Sequence, residues 1–218
     1  MANRKTPFVI GEHYHLYNRG IDKRNIFSNQ KDVGRFFQSM VEFNTTDPIG
    51  SIYENSFNRL GGETSKSKKL VEFITYCLNP NHYHFIIKQV QDRGIEKFMQ
   101  RLGTGYTMYF NEKEKRSGAL FQGVFKSIHI DTNEYLLHLS AYSNLNDRAH
   151  QLGGETSKLV RSSWGEYLDP RIKGICEKGI ILEQFRNAGE YKKFALSSLE
   201  SIIKRKEELK GIEDFLLE

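Results

Sequence analysis

The feature that most constrains the fold is a pair of β-rich stretches joined by a short turn. Residues 69–78 and 82–88 are rich in β-branched and aromatic side chains, and Asn79-Pro80-Asn81 separates them. This pattern predicts two antiparallel strands in a β-hairpin. Because 38% of the residues are hydrophobic, the chain can bury a core around this hairpin.

The rest of the chain alternates between predicted strands and predicted helices. Its periodicity predicts two further strands and three helices, namely strands over residues 13–18 and 121–130 and helices over residues 31–43, 95–113 and 134–145. Asp131 or Thr132 is expected to cap the last helix. This order of elements fits an α+β sandwich in which helices cover an antiparallel sheet. Residues 177–218 are charged and helical in pattern, which predicts a C-terminal helical extension.

Charge and cysteine usage narrow the class of protein only slightly. The 32 Lys and Arg residues against 27 Asp and Glu give a formal net charge of +5, which suits a nucleic-acid partner but also an ordinary basic protein. Cys77 and Cys176 form no disulfide or zinc-finger pattern, and Cys77 is expected in the core. With no leader-like apolar segment and no membrane span, the sequence predicts a soluble cytoplasmic protein without a membrane partner.

A seven-residue tract, LGGETSK, occurs twice, at residues 60–66 and at residues 152–158. Both copies are polar and rich in glycine, so each is expected to form an exposed loop. Because Lys66 follows Ser65 and does not precede it, the tract departs from a phosphate-binding Walker A loop, and no nucleotide site is predicted. We interpret the tracts as insertions copied from one repeated DNA element.

Two short motifs, sixty residues apart, carry the chemistry. His82 and His84 alternate along a predicted strand, so both imidazoles point to one face of the sheet. Tyr142 and Asn146 are four residues apart at the end of a predicted helix, so they also share a face. Neutral imidazole and amide oxygen are acceptable ligands for Mg²⁺ or Mn²⁺. The combination suggests a divalent metal beside a tyrosine nucleophile.

Each motif taken alone is weak. The triplet His-Tyr-His also occurs at residues 13–15, and a helical tyrosine such as Tyr142 usually belongs to a core or an interface. A metal-dependent hydrolase that uses water as its nucleophile is an alternative. No paired carboxylates near His82 and His84 offer the general base that such an enzyme needs.

Several motifs, in order, resemble one known family. Residues 79–87 (NPNHYHFII) are similar to the metal motif of the HUH single-stranded-DNA endonucleases, and within them to the IS200/IS605-like Y1 transposases and the REP-associated tyrosine transposases. The resemblance covers roughly residues 8–168. Further matching segments are residues 14–20, 98–102, 120–128, 134–137, 142–146 and 162–167.

The resemblance implies a fold, a reaction and a set of site residues. The fold would be a ferredoxin-like or RRM-like α+β sandwich, with a transposase domain over residues 1–168 and the helical extension over residues 169–218. Tyr142 would be the nucleophile and would hold a 5′-phosphotyrosine after cleaving single-stranded or hairpin DNA. The metal, Mg²⁺ or Mn²⁺, would be held by three ligands, namely His82, His84 and Asn146.

Contacts to DNA phosphates need positive charge within reach of the site. The candidates are Arg19, Lys23, Arg24 and Lys126. A protein of the same fold that only binds repeat hairpins, without cleaving them, is the second hypothesis. The sequence leaves open whether the chain acts as a monomer or as a homodimer that exchanges the helix of Tyr142 between subunits.

Overall fold

The structure, a computed structural model, describes residues 7–50, 52, 68–150, 152 and 154–215. Side chains are described as far as residue 204, with the exception of residue 155. The first copy of the repeated tract, at residues 60–66, lies outside the described residues. Within the second copy a short 3₁₀ helix spans Gly154–Leu159, so this part of the tract is a helical turn on the surface.

A five-stranded antiparallel sheet forms the centre of the fold, with the strands in the order β4-β1-β3-β2-β5. The strands are β1 (His13–Arg19), β2 (Val71–Asn79), β3 (His82–Gln89), β4 (Lys126–Ile130) and β5 (Arg161–Ser162). The predicted hairpin is β2–β3, in which Asn79 pairs directly with His82. Pro80 ends β2 because it has no backbone N–H for the sheet, and its carbonyl accepts the N–H of Ile26 at 2.7 Å.

Helices cover both faces of the sheet. They are α1 (Gln30–Glu42), α2 (Gly94–Lys113), α3 (Asn133–Asn144), α4 (Asn146–Ala149), α5 (Trp164–Leu168), α6 (Gly179–Leu182) and α7 (Ala188–Phe215). The side chain of Thr132, one of the two predicted caps, accepts the N–H of Tyr135 at 3.2 Å and begins α3. No helix in the described part of the chain is long and apolar enough to cross a membrane.

The two faces bury different cores because successive strand residues point to opposite sides. On one face α1 and α2 pack through Phe36 and Tyr106 against a cluster that includes Phe85. On the other face α3 and α7 pack through Leu139 and Tyr191 against a cluster that includes Ile86. The prediction of an α+β fold with an antiparallel sheet covered by helices is therefore confirmed.

Two predicted elements have different bounds in the structure. The strand predicted over residues 121–130 begins only at Lys126, since Gly123 turns the chain with a φ of +69°, a conformation that favours glycine. Phe121 contributes an isolated bridge to Gly20 instead. The helical pattern over residues 177–218 corresponds to the separate helices α6 and α7, joined by residues 183–187.

Candidate active site

A cleft of about 490 Å³ opens at the end of the sheet where β3 begins. Its lining brings together the predicted site residues His82, His84 and Tyr142 with three of the predicted phosphate contacts, Arg19, Lys23 and Lys126. The turn after β1 supports this arrangement. A Cβ atom on Gly20 would lie 2.1 Å from the carbonyl oxygen of Arg24, so glycine is required there for the chain to fold back towards the cleft.

His82 and Asn146 lie side by side, although 64 residues separate them in the chain. Nε2 of His82 is 3.0 Å from Oδ1 of Asn146, and Nδ1 of His82 is 2.6 Å from Oδ1 of Asn81. Both of these oxygens are acceptors, but Nε2 of His82 also lies 2.9 Å from the side-chain nitrogen of Asn79, which is a donor. The neutral imidazole that fits these contacts has its hydrogen on Nδ1 and its lone pair on Nε2. Metal-binding histidines share this pattern, in which a hydrogen bond holds one ring nitrogen and the lone pair of the other is directed at the ion.

Asn79 fixes the spacing between these two groups. Its buried side-chain nitrogen donates to Oδ1 of Asn146 at 2.6 Å and lies 2.9 Å from Nε2 of His82. It ends β2 directly opposite His82, and it is not among the site residues that the sequence motifs predict. The sequence signal for Asn79 was its place at the start of the predicted turn. In a β-hairpin that place lies opposite the first residue of the next strand.

The pair of acceptor atoms fits a divalent cation. Two ligand atoms at right angles on one ion, each about 2.1 Å from it, lie about 3.0 Å apart, and the observed separation of Nε2 in His82 and Oδ1 in Asn146 is 3.0 Å. Within the described ranges, no group of three or more His, Cys, Asp or Glu side chains forms a metal site. A cation here would therefore depend on the amide of Asn146 as well as on histidine.

Tyr142 lies beside His84 in the same chain. Their ring centroids are 5.6 Å apart with the planes at 80°, and the ring centroid of His84 is 5.2 Å from that of His82. The structure thus brings His82, His84 and Tyr142 to one cleft, and the buried Asn146 lies behind its lining, against His82. Each residue lies in the strand or helix that was predicted for it from the sequence, or directly after the end of that element.

The helix that carries Tyr142 is held firmly between the sheet and α7. Ser143 accepts a hydrogen bond from the hydroxyl of Thr75 on β2 at 2.9 Å. On the other side, the hydroxyl of Tyr191 on α7 accepts a hydrogen bond from Asn144 at 2.9 Å and contacts Ser140 at 3.1 Å. These buried contacts fix the direction of α3 and with it the position of Tyr142 near His84.

Two histidines that the sequence analysis did not assign to the site also lie at or next to it. His15 on β1 has its Nε2 atom 2.9 Å from Nδ1 of His84, and burial lowers the pKa of His15 to about 4, so its ring is neutral at neutral pH. His150, at the end of α4, has its ring centroid 5.0 Å from that of His82 and lines the cleft. The His-Tyr-His triplet at residues 13–15 was the sequence signal for His15.

The four predicted phosphate contacts do not occupy equivalent positions. Arg19, Lys23 and Lys126 line the cleft, and Arg19 hydrogen-bonds to Gln122. Arg24 is not among the lining residues and instead forms an exposed ion pair with Asp22 at 3.2 Å. Three basic side chains therefore border the cleft.

Comparison with known proteins agrees with this architecture. Residues 50–146 match the family described as IS200-like transposase. In three dimensions the chain is similar to a REP-associated tyrosine transposase that was solved bound to a REP hairpin, with a TM-score of 0.50 and 11% sequence identity over 80% of this chain and 90% of that chain. At this identity the likeness shows the fold alone. No curated protein sequence matches the chain.

Proposed function

Because this chain belongs to the IS200-like transposase family, we propose that it cleaves and rejoins single-stranded DNA through Tyr142 in a metal-dependent reaction. The observation that carries this proposal is the position of the Tyr142 ring, 5.6 Å from His84 in a cleft that His82 also lines. In this proposal residues 1–168 form the DNA-cleaving unit, and residues 169–218 form a helical extension that supports it.

The metal would be held by His82, His84 and Asn146. Bound there, Mg²⁺ or Mn²⁺ would polarise the scissile phosphodiester and neutralise the charge that develops on it. His82 is suited to this task because its contact with Asn81 leaves Nε2 as the ligand atom. Asn79 keeps Asn146 beside His82 by its hydrogen bond to the amide oxygen of Asn146.

Tyr142 would act as the covalent nucleophile. Its phenolic oxygen would form a bond to phosphorus while the bond from phosphorus to the 3′ oxygen breaks. The phenol loses its proton and the departing 3′ oxygen gains one, so a 5′-phosphotyrosine and a 3′-hydroxyl result. The ester keeps the energy of the phosphodiester bond, and attack by a 3′-hydroxyl can therefore rejoin strands without ATP.

The DNA would enter along the basic border of the cleft. Arg19, Lys23 and Lys126 can contact phosphates, which position a strand without reading its sequence. Tyr17, which also lines the cleft, offers an aromatic ring to an unpaired base. The similar protein of known structure was solved with a REP hairpin, and we extend this proposal to hairpin DNA with a single-stranded flank as the substrate.

The test is the formation of a covalent protein–DNA adduct. Labelled hairpin oligonucleotides from the flanks of the gene would be incubated with the protein and Mn²⁺ or Mg²⁺ and separated on a denaturing gel. We expect an adduct that EDTA prevents and that the Tyr142→Phe variant cannot form, although that variant still binds the hairpin. Tight binding without an adduct in the wild type would favour a non-catalytic hairpin binder, and cleavage without an adduct would indicate water as the nucleophile.

A further inference from the structure

The first His-Tyr-His triplet, at residues 13–15, has a member in direct contact with the second triplet. His15 on β1 and His84 on β3 share a face of the sheet, because His84 pairs with Tyr17 and Ile86 pairs with His15 in the antiparallel register. Nε2 of His15 lies 2.9 Å from Nδ1 of His84, and the ring planes are 15° apart. Such geometry requires a hydrogen on one of the two nitrogens and a lone pair on the other.

Packing alone does not explain a histidine at position 15. The residue is 5% exposed, and its Nδ1 atom is buried without a hydrogen-bond partner within the described part of the chain. Burying an unpaired polar atom costs free energy that an aliphatic side chain of similar size would avoid. Within the described residues, the side chain of His15 makes its hydrogen bond with His84. The reason for an imidazole at position 15 is therefore its effect on His84.

The contact admits two arrangements with opposite consequences for the cleft. If His15 donates from Nε2, the neutral ring of His84 carries its own hydrogen on Nε2 and cannot bind a cation there. If His84 donates from Nδ1, Nε2 of His84 has the lone pair and can be a ligand. His82 already has the second arrangement, since its Nδ1 atom faces Oδ1 of Asn81 at 2.6 Å.

We propose that His15 is a positioning residue for His84, which accepts a hydrogen bond from Nδ1 of His84 and so holds Nε2 of that ring as a metal ligand. His15 then accepts the Nδ1 hydrogen of His84, just as Asn81 accepts the Nδ1 hydrogen of His82. Partners of this kind orient the ligand ring and fix its tautomer. The inference rests on the proposed metal site, but the arrangement of the two rings can be measured without any metal.

The experiment compares three variants with the wild type. His15→Leu removes the acceptor and keeps an apolar side chain of similar size, whereas His15→Gln keeps an amide oxygen that can accept from His84. His13→Leu is the matched control, because His13 lies two residues earlier on the same face of β1 and also has a buried ring nitrogen, Nε2, without a partner in the described residues. Circular dichroism and thermal unfolding would confirm that each variant is folded.

The first readout is Mn²⁺ affinity by isothermal titration calorimetry. We expect His15→Leu to weaken binding by roughly 10- to 100-fold, the usual effect of losing a partner of a ligand histidine. His15→Gln should recover most of the affinity, and His13→Leu should bind as the wild type does. A folded His15→Leu variant whose affinity is within twofold of the wild type would overturn the proposal while leaving the metal site itself intact.

The second readout is the tautomer of His84 in the metal-free protein, from long-range ¹H–¹⁵N correlation spectra. We expect the hydrogen on Nδ1 of His84 in the wild type and a mixture of tautomers in His15→Leu. A wild-type spectrum with the hydrogen on Nε2 of His84 contradicts the inference, whatever the calorimetry gives. If the wild type binds no Mn²⁺, the metal-dependent function fails, and the spectrum still decides the role of His15.

Discussion

The side-chain oxygen of Asn146 lies 3.0 Å from Nε2 of His82, and the amide nitrogen of Asn79 is within hydrogen-bond distance of both atoms. Three residues from β2, β3 and α4 therefore define one small polar cluster at the end of the sheet. Two acceptor atoms this close repel each other unless a proton or a cation lies between them. The side-chain N–H groups of Asn79 supply these protons, so the cluster is held together without a cation.

The first prediction concerns the oxygen ligand. Asn146→Ala should weaken Mn²⁺ binding at least roughly tenfold, because the alanine has no oxygen to offer the ion. Asn146→Asp should bind Mn²⁺ at least as tightly as the wild type, since a carboxylate is a stronger ligand for such ions. Calorimetric titration with Mn²⁺ measures both effects.

Asn133→Ala is the control for this titration, because Asn133 lies on the exposed start of α3 and pairs with Gln184 at 2.7 Å. It should leave Mn²⁺ binding unchanged. An Asn146→Ala variant that binds Mn²⁺ as tightly as the wild type would exclude Asn146 as a ligand.

Local patterns predicted the parts of the site that lie within one element or one turn. The alternation of His82 and His84 holds within β3. The helix of Tyr142 ends at Asn144 and Asn146 begins α4, so the i, i+4 spacing of Tyr142 and Asn146 crosses a break at Leu145. Alternation along β3 is fixed by backbone geometry, which needs no tertiary information. For that reason the hairpin and its histidines could be predicted.

These local patterns could not predict how strands that are distant in the sequence pair with each other. The contact between His15 and His84 joins residues 69 apart, and it depends on how β1 pairs with β3. A shift of one residue would turn His15 to the opposite face of the sheet. The late start of β4 has a different cause, the left-handed backbone at Gly123, which hydrophobic periodicity does not reveal.

The second prediction separates basic residues that line the cleft from one that does not. Lys126→Ala should weaken binding of a single-stranded flank and reduce the slope of log affinity against log salt by roughly 0.7, because one phosphate contact is lost. Arg24→Ala should change the slope by less, since Arg24 lies outside the cleft lining and pairs with Asp22. Fluorescence anisotropy at several salt concentrations measures the slopes.

Equal effects from Lys126→Ala and Arg24→Ala would show that DNA runs outside the cleft. Arg171→Ala serves as the control for loss of charge alone, because Arg171 is 88% exposed and pairs with Asp169. It should leave the slope unchanged.

The third prediction concerns the support of the nucleophile helix by α7. Tyr191→Phe should lower the free energy of unfolding by about 1–3 kcal/mol, because the buried amide of Asn144 loses the acceptor it has at 2.9 Å. Tyr135→Phe is the matched control. Tyr135 lies on the nucleophile helix α3 itself, and its hydroxyl makes no hydrogen bond among the described residues. Urea denaturation followed by circular dichroism gives both values. A loss in Tyr135→Phe as large as that in Tyr191→Phe would mean that the hydrogen bond is not the cause.

The last prediction concerns stability in alkaline solution. Burial raises the pKa of Tyr191 from its ordinary value of 10.0 to about 12, against the opposing effect of its hydrogen bonds with Ser140 and Asn144. Burial also raises the pKa values of Tyr76, Tyr106 and Tyr167. Each of these phenols therefore ionises more readily in the unfolded chain than in the folded protein. Their contribution to stability is fully present below pH 10 and is lost as the pH rises above it.

For Tyr191 this loss extends from pH 10 to about pH 12. One proton released on unfolding corresponds to a slope of about 1.4 kcal/mol per pH unit. Tyr191→Phe removes that proton, so its free energy of unfolding should fall less steeply than that of the wild type, by up to this amount per unit. Urea denaturation at intervals between pH 9 and pH 11.5 measures both slopes. Parallel curves of unfolding free energy against pH would show that Tyr191 keeps an ordinary pKa in the folded protein. They would also show that the packing of α7 does not bury its hydroxyl away from water.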